Sequence, residues 1–383
     1  MKINAVYNCR LITPGMELDD ASVELREGKI VRVAAGRPKW TSGGMDAEGR
    51  MLLPGFVDVH CHGRNNCDVC DGSVEGLATI AVNKLAEGVT TLLPTTLTLP
   101  EQELAAALAS VAAYDGRGCK IPGVHLEGPF INPKCVGAQN PAFVRSADIA
   151  EIDRLNAIFP VRKVTFAVEC PGGVELVEEL LARGITPSCT HSAASAVEFR
   201  RGYERGLRNL SHFCNQMTPL HHRDIGLVGS GLLYDEVYVE LICDKLHISP
   251  EMIKLVFKVK GCDHVMLISD AMRAAGMPEG EYTLGGLPVV VSADGAARLK
   301  DNGALAGSTL KINTALANIR EVTGLPLSEL VKSTSFTAAR SLGIPGIGRI
   351  EPGYAADMVL LDEDFSVRTT IVDGEVRYCS NRR

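Results

Sequence analysis

The stretch LLPGFVDVHCHG, residues 52–63, is an apolar run that ends in an H-x-H pair formed by His60 and His62. A short apolar run bounded by turn residues is typical of a buried strand. Alternate residues of a strand point to the same side, so the two histidines can share one ligand. The stretch therefore predicts a buried strand that carries a pair of histidines at its carboxyl end.

Seven more apolar segments follow this strand and alternate with helix-like stretches such as EQELAAALASVAAY, residues 101–114. The eight predicted strands are residues 56–60, 89–93, 121–126, 163–169, 185–190, 208–212, 237–243 and 263–269. Eight strand–helix units in succession predict an α/β fold, a (β/α)8 TIM-like barrel over residues 54–349. A doubly wound open sheet is the second possibility, but no G-x-G-x-x-G follows the first strand.

The two ends of the chain have a different residue pattern from the middle. Residues 1–53 and 350–383 alternate apolar and polar positions and contain hairpin-like turns at 27–29 and 373–375. We expect both ends to form one small β-sandwich domain. A further strand-rich segment near 280–303 predicts a β-hairpin insertion in the barrel.

Composition excludes several classes of function. A formal net charge of −7 argues against a nucleic-acid partner held by bulk charge. No long apolar run predicts a membrane span, and the first residues lack the apolar region of a signal peptide. The twelve cysteines are scattered, and without an export signal they predict a reduced, cytoplasmic protein.

Polar residues that can bind a metal or transfer a proton follow five of the eight predicted strands. They are His60 and His62, Glu127, His191, His212 and Asp270. The carboxyl ends of barrel strands open onto one face, where active sites are built. Imidazole and carboxylate ligands together suit Zn, Fe(II), Mn or Co. The sequence therefore predicts a metal site at this face.

Cysteines near the first strand offer a competing metal site. Cys67 and Cys70 form a C-x2-C pair, but a tetrahedral zinc site needs a second such pair and the chain has none. Cys61 alternates with the histidines and is expected to point away from them. Histidine ligation is the favoured interpretation.

Several blocks of sequence, in this order along nearly the whole chain, resemble the N-acetylglucosamine-6-phosphate deacetylase family of the amidohydrolase superfamily. These blocks are LLPGFVDVHCHG, GVTTLLPTTLT, PGVHLEGPFINPKCVGAQNPAFV, HHRDIGLVG, LICDKLH, SDAMRAAGMPEGEYTLGG, LAGSTLKI and GRIEPGYAADMVLLD. The resemblance implies deacetylation of N-acetyl-D-glucosamine 6-phosphate by a homodimeric, metal-dependent enzyme.

The resemblance also implies a ligand set. Glu127 would hold the main metal with His191 and His212, and His60 and His62 would hold a second one. We expect zinc or iron, with one or two ions per subunit.

Asp270 is the expected catalytic base. A carboxylate that is not used by the metal can take a proton from water and pass it to the departing amine. The alternative is that Asp270 is one more metal ligand.

Five residues are expected to bind the substrate by resemblance. They are Gln139, Asn215, Gln216, Arg223 and His247. Arg223 and His247 would approach the phosphate, one or both of them across a dimer interface. Arg223 could instead form a surface ion pair with Asp224.

Alternative functions remain at this point. Gln216, in SHFCNQMTPL, and the segment THSAAS depart from the usual pattern and border the substrate pocket. N-acetylgalactosamine 6-phosphate or another N-acyl amine is therefore an alternative substrate. A non-catalytic scaffold is a second alternative. A deaminase or cyclic amidase that uses Glu169 near the fourth strand is a third.

Overall fold

The computed structural model describes residues 1–38 and 41–380. Residues 39–40 and 381–383, which belong to the expected small domain, lie outside the described residues. The strands are β1 (Ala5–Thr13), β2 (Met16–Arg26), β3 (Lys29–Ala35), β4 (Gly44–Asp46), β5 (Met51–Pro54), β6 (Phe56–Cys61), β7 (Gly63–Arg64), β8 (Cys67–Asp68), β9 (Val89–Thr96), β10 (Val124–Glu127), β11 (Val161–Phe166), β12 (Thr186–Cys189), β13 (Asn209–Leu210), β14 (Tyr238–Leu241), β15 (Val265–Leu267), β16 (Gly280–Leu284), β17 (Leu287–Val291), β18 (Ala297–Leu299), β19 (Met358–Leu361), β20 (Val367–Val372) and β21 (Glu375–Cys379). The α-helices are α1 (Val74–Lys84), α2 (Glu101–Ala112), α3 (Ile149–Asn156), α4 (Gly173–Ala182), α5 (Ala196–Glu204), α6 (Gly226–Leu233), α7 (Pro250–Lys260), α8 (Ile312–Thr323), α9 (Leu327–Val331) and α10 (Thr337–Ser341).

Eight parallel strands form the barrel, in the order β6, β9, β10, β11, β12, β13, β14 and β15. The barrel closes where Cys61 forms a parallel bridge with Ala271. At this seam the Asp270 amide donates to the His60 carbonyl over 2.9 Å. All eight strands predicted from the sequence are confirmed, and the closure brings the ends of the first and last strands side by side.

Helices cover the outside of the barrel, and α4 and α5 illustrate the local signals that form them. In α4 the side chains of Leu176, Val177 and Leu180 are buried at the three- and four-residue spacing of one helix face. The N-terminus of α5 carries a capping box between Ser195 and Glu198. These local signals place each helix after a strand and keep the strand ends at one face.

Both chain ends contribute to a second sheet. Its strand order is β21, β20, β19, β5, β1, β2 and β3, and β4 pairs with β1. The sheet folds over a separate apolar core that includes Val6, Leu11 and Ile371. Glu27 and Asp373 have positive φ, as do the glycines that follow them, which makes tight hairpin turns at both positions. The predicted β domain is confirmed, while its boundaries at residues 53 and 350 stay a prediction.

Strands β16, β17 and β18 form a small antiparallel sheet of their own after the last barrel strand. This segment coincides with the expected hairpin and has one strand more than a hairpin. Within the described part of the chain, no helix has the length and apolarity needed to cross a membrane.

Candidate metal centre and active site

A cavity of about 220 Å³ opens at the carboxyl ends of the barrel strands. Its wall includes His62, Glu127, His191, His212 and Asp270. His60 lies directly beneath, fully buried. The structure therefore brings together all six polar residues that the sequence placed at strand ends.

One group of ligand atoms surrounds Glu127 Oε1. His212 Nε2 lies 3.0 Å and His191 Nε2 3.5 Å from this oxygen, and the two nitrogens are 3.1 Å apart. His191 and His212 both have positive φ, as does Asp270. Backbone strain of this kind in non-glycine residues clusters at functional sites.

A second group uses the other histidines with the same carboxylate. His60 Nε2 is 3.2 Å from Glu127 Oε1, and His62 Nε2 is 3.3 Å from Glu127 Oε2. The Nε2 atom of His60 is buried and has no hydrogen-bond partner among the described residues. A buried nitrogen without a hydrogen-bond partner requires an explanation, and binding of a metal ion by the deprotonated imidazole is one.

The hydrogen bonds of the Nδ1 atoms set the tautomer of three of the site histidines. The Nδ1 atoms of His62, His191 and His212 contact the carbonyls of Thr95, Cys135 and Asn215 at 3.2, 2.8 and 3.2 Å. A carbonyl only accepts, so each Nδ1 donates and each Nε2 presents its lone pair to the cavity. This arrangement orients imidazoles for a metal.

His60 has a different outer partner, which the sequence analysis missed. Its Nδ1 lies 3.2 Å from Glu240 Oε2, and Lys163 pairs with the other oxygen of Glu240. Glu240 and Lys163 are buried inside β14 and β11. The available signal was a charged residue within an otherwise apolar barrel strand.

The ionisation of the site follows from this crowding. Burial alone would raise the pKa of Glu127, but His60, His191 and His212 hold it well below its usual value. Burial alone would lower the pKa of His60, but the carboxylates of Glu127 and Asp270 outweigh it and raise the pKa to about 9. The carboxylates and the imidazoles of the site thus stabilise each other's charged forms.

Both groups fit a divalent metal ion. A tetrahedral ion with bonds of about 2.1 Å places its ligand atoms about 3.4 Å apart. The ligand atoms here are 3.0–3.5 Å apart in the first group and 3.2–3.3 Å from Glu127 in the second. Glu127 belongs to both metal-binding groups.

Asp270 lies on the same side as His60 and His62. Its Oδ1 is 3.2 Å from His62 Nε2 and 3.6 Å from His60 Nε2. Burial alone would raise the pKa of Asp270, but His60 and His62 lower it. Its ionised carboxylate can accept a proton, and it also lies close enough to contact an ion in the second group.

The expected substrate residues divide into two sets. Gln139, Asn215, Gln216 and His247 line the cavity. Arg223 does not; it is exposed, and its Nη1 lies 2.8 Å from His222 Nε2. Asp224 accepts a hydrogen bond from the Gly226 amide. This bond, and not the alternative ion pair with Arg223, orders the turn at residues 224–226.

Gln139 makes a contact that the sequence did not predict. Its Nε2 donates to Glu127 Oε2 over 2.5 Å, and its Oε1 accepts from the Thr98 amide over 2.7 Å. The Thr98 contact assigns the orientation of the amide group. Gln139 therefore holds the carboxylate of Glu127, a candidate metal ligand, as well as lining the cavity.

Neither metal-binding group in the described chain contains a cysteine. Cys61 is fully buried, and burial raises the pKa of its thiol to about 12. Cys70 Sγ accepts a hydrogen bond from the Leu97 amide. The carboxylate of Glu169 accepts from Asn132, Ser192 and the Ala193 amide, so it anchors the loop after His191.

Comparison with known proteins agrees with this geometry. The profile of the amidohydrolase family matches residues 51–377. This chain belongs to the amidohydrolase family. The amidohydrolase is 34% identical to N-acetylglucosamine-6-phosphate deacetylase of Lysinibacillus sphaericus over 381 residues, 98% of each chain. It is 36% identical to N-acetylgalactosamine-6-phosphate deacetylase of Escherichia coli O157:H7 over 373 residues, 96% of this chain and 97% of the relative.

A solved structure is similar over the same length. It is an aspartate-to-alanine mutant of N-acetyl-D-glucosamine-6-phosphate deacetylase from Mycobacterium smegmatis in complex with N-acetyl-D-glucosamine-6-phosphate. The amidohydrolase matches it with a TM-score of 0.93 and 29% identity, covering 98% of this chain and 100% of the other. The barrel and the small β domain are therefore shared with this relative.

Proposed function

We propose that this amidohydrolase removes acetate from N-acetyl-D-glucosamine 6-phosphate, giving glucosamine 6-phosphate. The observation that carries the proposal is the convergence of Glu127 and four histidines beside Asp270, in the wall and at the base of one cavity. The similarity to deacetylases of this substrate over 98% of the chain supports it. Such a function belongs to amino-sugar catabolism in the cytoplasm.

The residues would hold one or two divalent ions, zinc or iron. Glu127, His191 and His212 would bind the first, and Glu127, His60 and His62 the second. When bound, the metal supplies Lewis acidity to water and to the acetyl carbonyl. Carbon–nitrogen bonds of amides are hard to break without this help.

Asp270 would move the proton. Its carboxylate accepts a proton as water attacks the carbonyl carbon, and a carbon–oxygen bond forms. The same group then gives that proton to the sugar nitrogen as the carbon–nitrogen bond breaks, releasing a free amine and acetic acid, which ionises to acetate. One carboxylate thus serves both halves of the reaction.

The remaining cavity residues would bind the sugar phosphate. Asn215 and Gln216 offer amide groups, and His247, whose Nδ1 lies 2.6 Å from Asp244 Oδ2, offers an imidazole ring. No lysine or arginine is among the described residues that line the cavity. We therefore propose a homodimer in which Arg223 of the partner subunit completes the phosphate site.

N-acetylgalactosamine 6-phosphate is the second candidate substrate. It is favoured by the 36% identity to a deacetylase of that epimer. Gln216, which packs against Gly137 in the cavity wall, is a residue that can distinguish the two sugars. The reaction and the site would be the same for both epimers.

Acetate release from a panel of sugars tests the function. The purified enzyme, analysed for metal, is assayed with both N-acetylated epimers, each with and without the 6-phosphate. We expect release from a 6-phosphate, with a much lower kcat/KM for the unphosphorylated sugars. Failure to release acetate from any of the four would overturn the deacetylase assignment and favour a non-catalytic scaffold.

A further inference from the structure

Four buried charges lie beneath the site and take no part in the proposed reaction. Lys84 Nζ is 2.8 Å from Asp58 Oδ2 and 2.7 Å from Glu87 Oε2, and Arg64 pairs with the other oxygen of Glu87. Arg64 is 5% exposed and the other three are fully buried. We call Asp58, Arg64, Lys84 and Glu87 the buried ion cluster.

Stability alone does not account for this cluster. Charges lose their hydration when they are buried, and well-packed apolar residues of similar volume are often at least as stabilising. Burial alone would raise the pKa of Glu87, but Lys84 and Arg64 lower it, which keeps the carboxylate charged. Because stability is only a weak explanation for such a cluster, its contacts with the neighbouring site residues are the better indication of its role.

The members of the cluster are next to site residues in the chain. Asp58 lies two positions before His60 on β6, and Arg64 lies two positions after His62. Lys84 Nζ also lies 3.3 Å from the hydroxyl of Ser269, the residue before Asp270. The cluster thus connects the two sides of the seam where the barrel closes.

Asp58 forms two hydrogen bonds with Ser269, the residue before Asp270. Its Oδ2 accepts from the Ser269 hydroxyl over 2.6 Å, and its Oδ1 accepts from the Ser269 amide over 3.2 Å. The same hydroxyl oxygen accepts from the Ala271 amide over 3.2 Å. Asp58 therefore holds Ser269 directly, and the Ser269 hydroxyl in turn holds the Ala271 amide on the other side of Asp270.

Asp270 needs such support because its φ is +47°, a left-handed conformation that non-glycine residues rarely adopt. Its amide donates to the His60 carbonyl over 2.9 Å, and its carbonyl accepts from the Ser308 amide over 2.7 Å. Relaxation of this turn would move the Asp270 carboxylate away from His62. A shift of about 1 Å in a reacting group lowers turnover about 100-fold.

We propose that Asp58 and Ser269 are positioning residues, and that Asp58, held by Lys84, fixes Ser269 and thereby aims the Asp270 carboxylate at the reacting atoms. This inference rests on the proposed function for its effect on turnover. The positioning of Asp270 does not depend on the reaction, and it can be measured separately by hydrogen exchange.

Ser269→Ala tests the proposal because it removes the hydroxyl and leaves a residue of similar size. Ser333→Ala is the matched control, since Ser333 is also fully buried and its hydroxyl contacts the Cys262 carbonyl, away from the site. We expect kcat of Ser269→Ala to fall about 10- to 100-fold, with KM and metal content unchanged. The control should keep its kcat, and the two variants should have similar Tm.

Hydrogen exchange provides the second readout, which does not depend on activity. Amides of a peptide spanning residues 265–275 should exchange faster in Ser269→Ala than in the wild type or the control. If Ser269→Ala matches Ser333→Ala in both kcat and exchange, the positioning role is wrong. If instead the wild type releases no acetate while exchange still rises in Ser269→Ala, the proposed function fails and the positioning stands.

Discussion

Glu127 lies within 3.5 Å of His60, His62, His191 and His212, which makes it the central residue of the candidate ligand set. The sequence could predict this set because each member follows a strand, and strand ends meet at one face. It could not predict Glu240, Lys163 or Asp58. Their partners are distant in sequence, as in the 77-residue separation of Lys163 and Glu240, and only the closed barrel brings them together.

The ionisation of His60 predicts how metal binding depends on pH. With a pKa of about 9, His60 carries a proton at neutral pH when no metal is bound, and a metal must displace it. Metal affinity should therefore rise with pH up to about 9 and fall as the pH is lowered. Calorimetric titrations in buffers of different ionisation enthalpy measure the protons released, and release of none at pH 7 would contradict this reading.

Gln139 predicts a change in metal affinity. Gln139→Met removes the donor to Glu127 Oε2 and keeps the length of the side chain, so the carboxylate loses an orienting hydrogen bond. Metal affinity should fall about 10-fold or more, as measured by competition with a chelator. Gln216→Met, in the same cavity but without a contact to Glu127, is the control and should leave affinity unchanged. Equal losses in both variants would refute the orienting role.

The barrel strands and the segment after them differ in how far their sequences predict their contacts. Eight apolar runs with helices between them predict the barrel, and β13 is shorter than expected, only Asn209–Leu210. The expected hairpin has a third strand, β18. Leu284, at the end of β16, reaches the cavity wall. That contact depends on how the small sheet packs on the barrel, which local sequence does not encode.

Leu284 predicts a role for this small sheet in binding. Leu284→Ala removes an apolar side chain from the cavity wall, so the substrate loses contact in the ground state and in the transition state alike. KM should rise about 10-fold while kcat stays within about a factor of two. Leu299→Ala is the control, since it removes a leucine of the same sheet that is also buried but is not among the cavity residues. If both variants change KM equally, the effect comes from loosening of the sheet and not from contact with substrate.

The whole chain combines a barrel with a sheet built from both of its ends. The turns at Glu27–Gly28 and Asp373–Gly374 could be predicted from the sequence because a tight hairpin turn with two adjacent positive φ values favours glycine at the second position. Assembly is a different matter. The sequence carries no direct signal for a dimer. The proposed homodimer rests on Arg223, which is exposed and does not line the cavity of its own subunit.

A mixed dimer tests whether Arg223 acts across subunits. One subunit carries Arg223→Ala and the other Asp270→Asn, and differently tagged copies allow the heterodimer to be isolated. If Arg223 of the partner subunit completes the site, one of the two sites is intact, and activity should be about half that of the wild type. If each site uses its own Arg223, both sites are defective and the heterodimer should be as inactive as the parent variants.

Asp270→Asn, measured for acetate release and metal content on the same sample, tests the central claim most directly. Asparagine keeps the shape of the side chain but cannot carry the proton. The account predicts that turnover of the 6-phosphate substrate falls by about 1,000-fold or more while bound metal is nearly unchanged. Turnover near that of the wild type, or loss of the metal together with the activity, would contradict the role of Asp270 as the proton carrier.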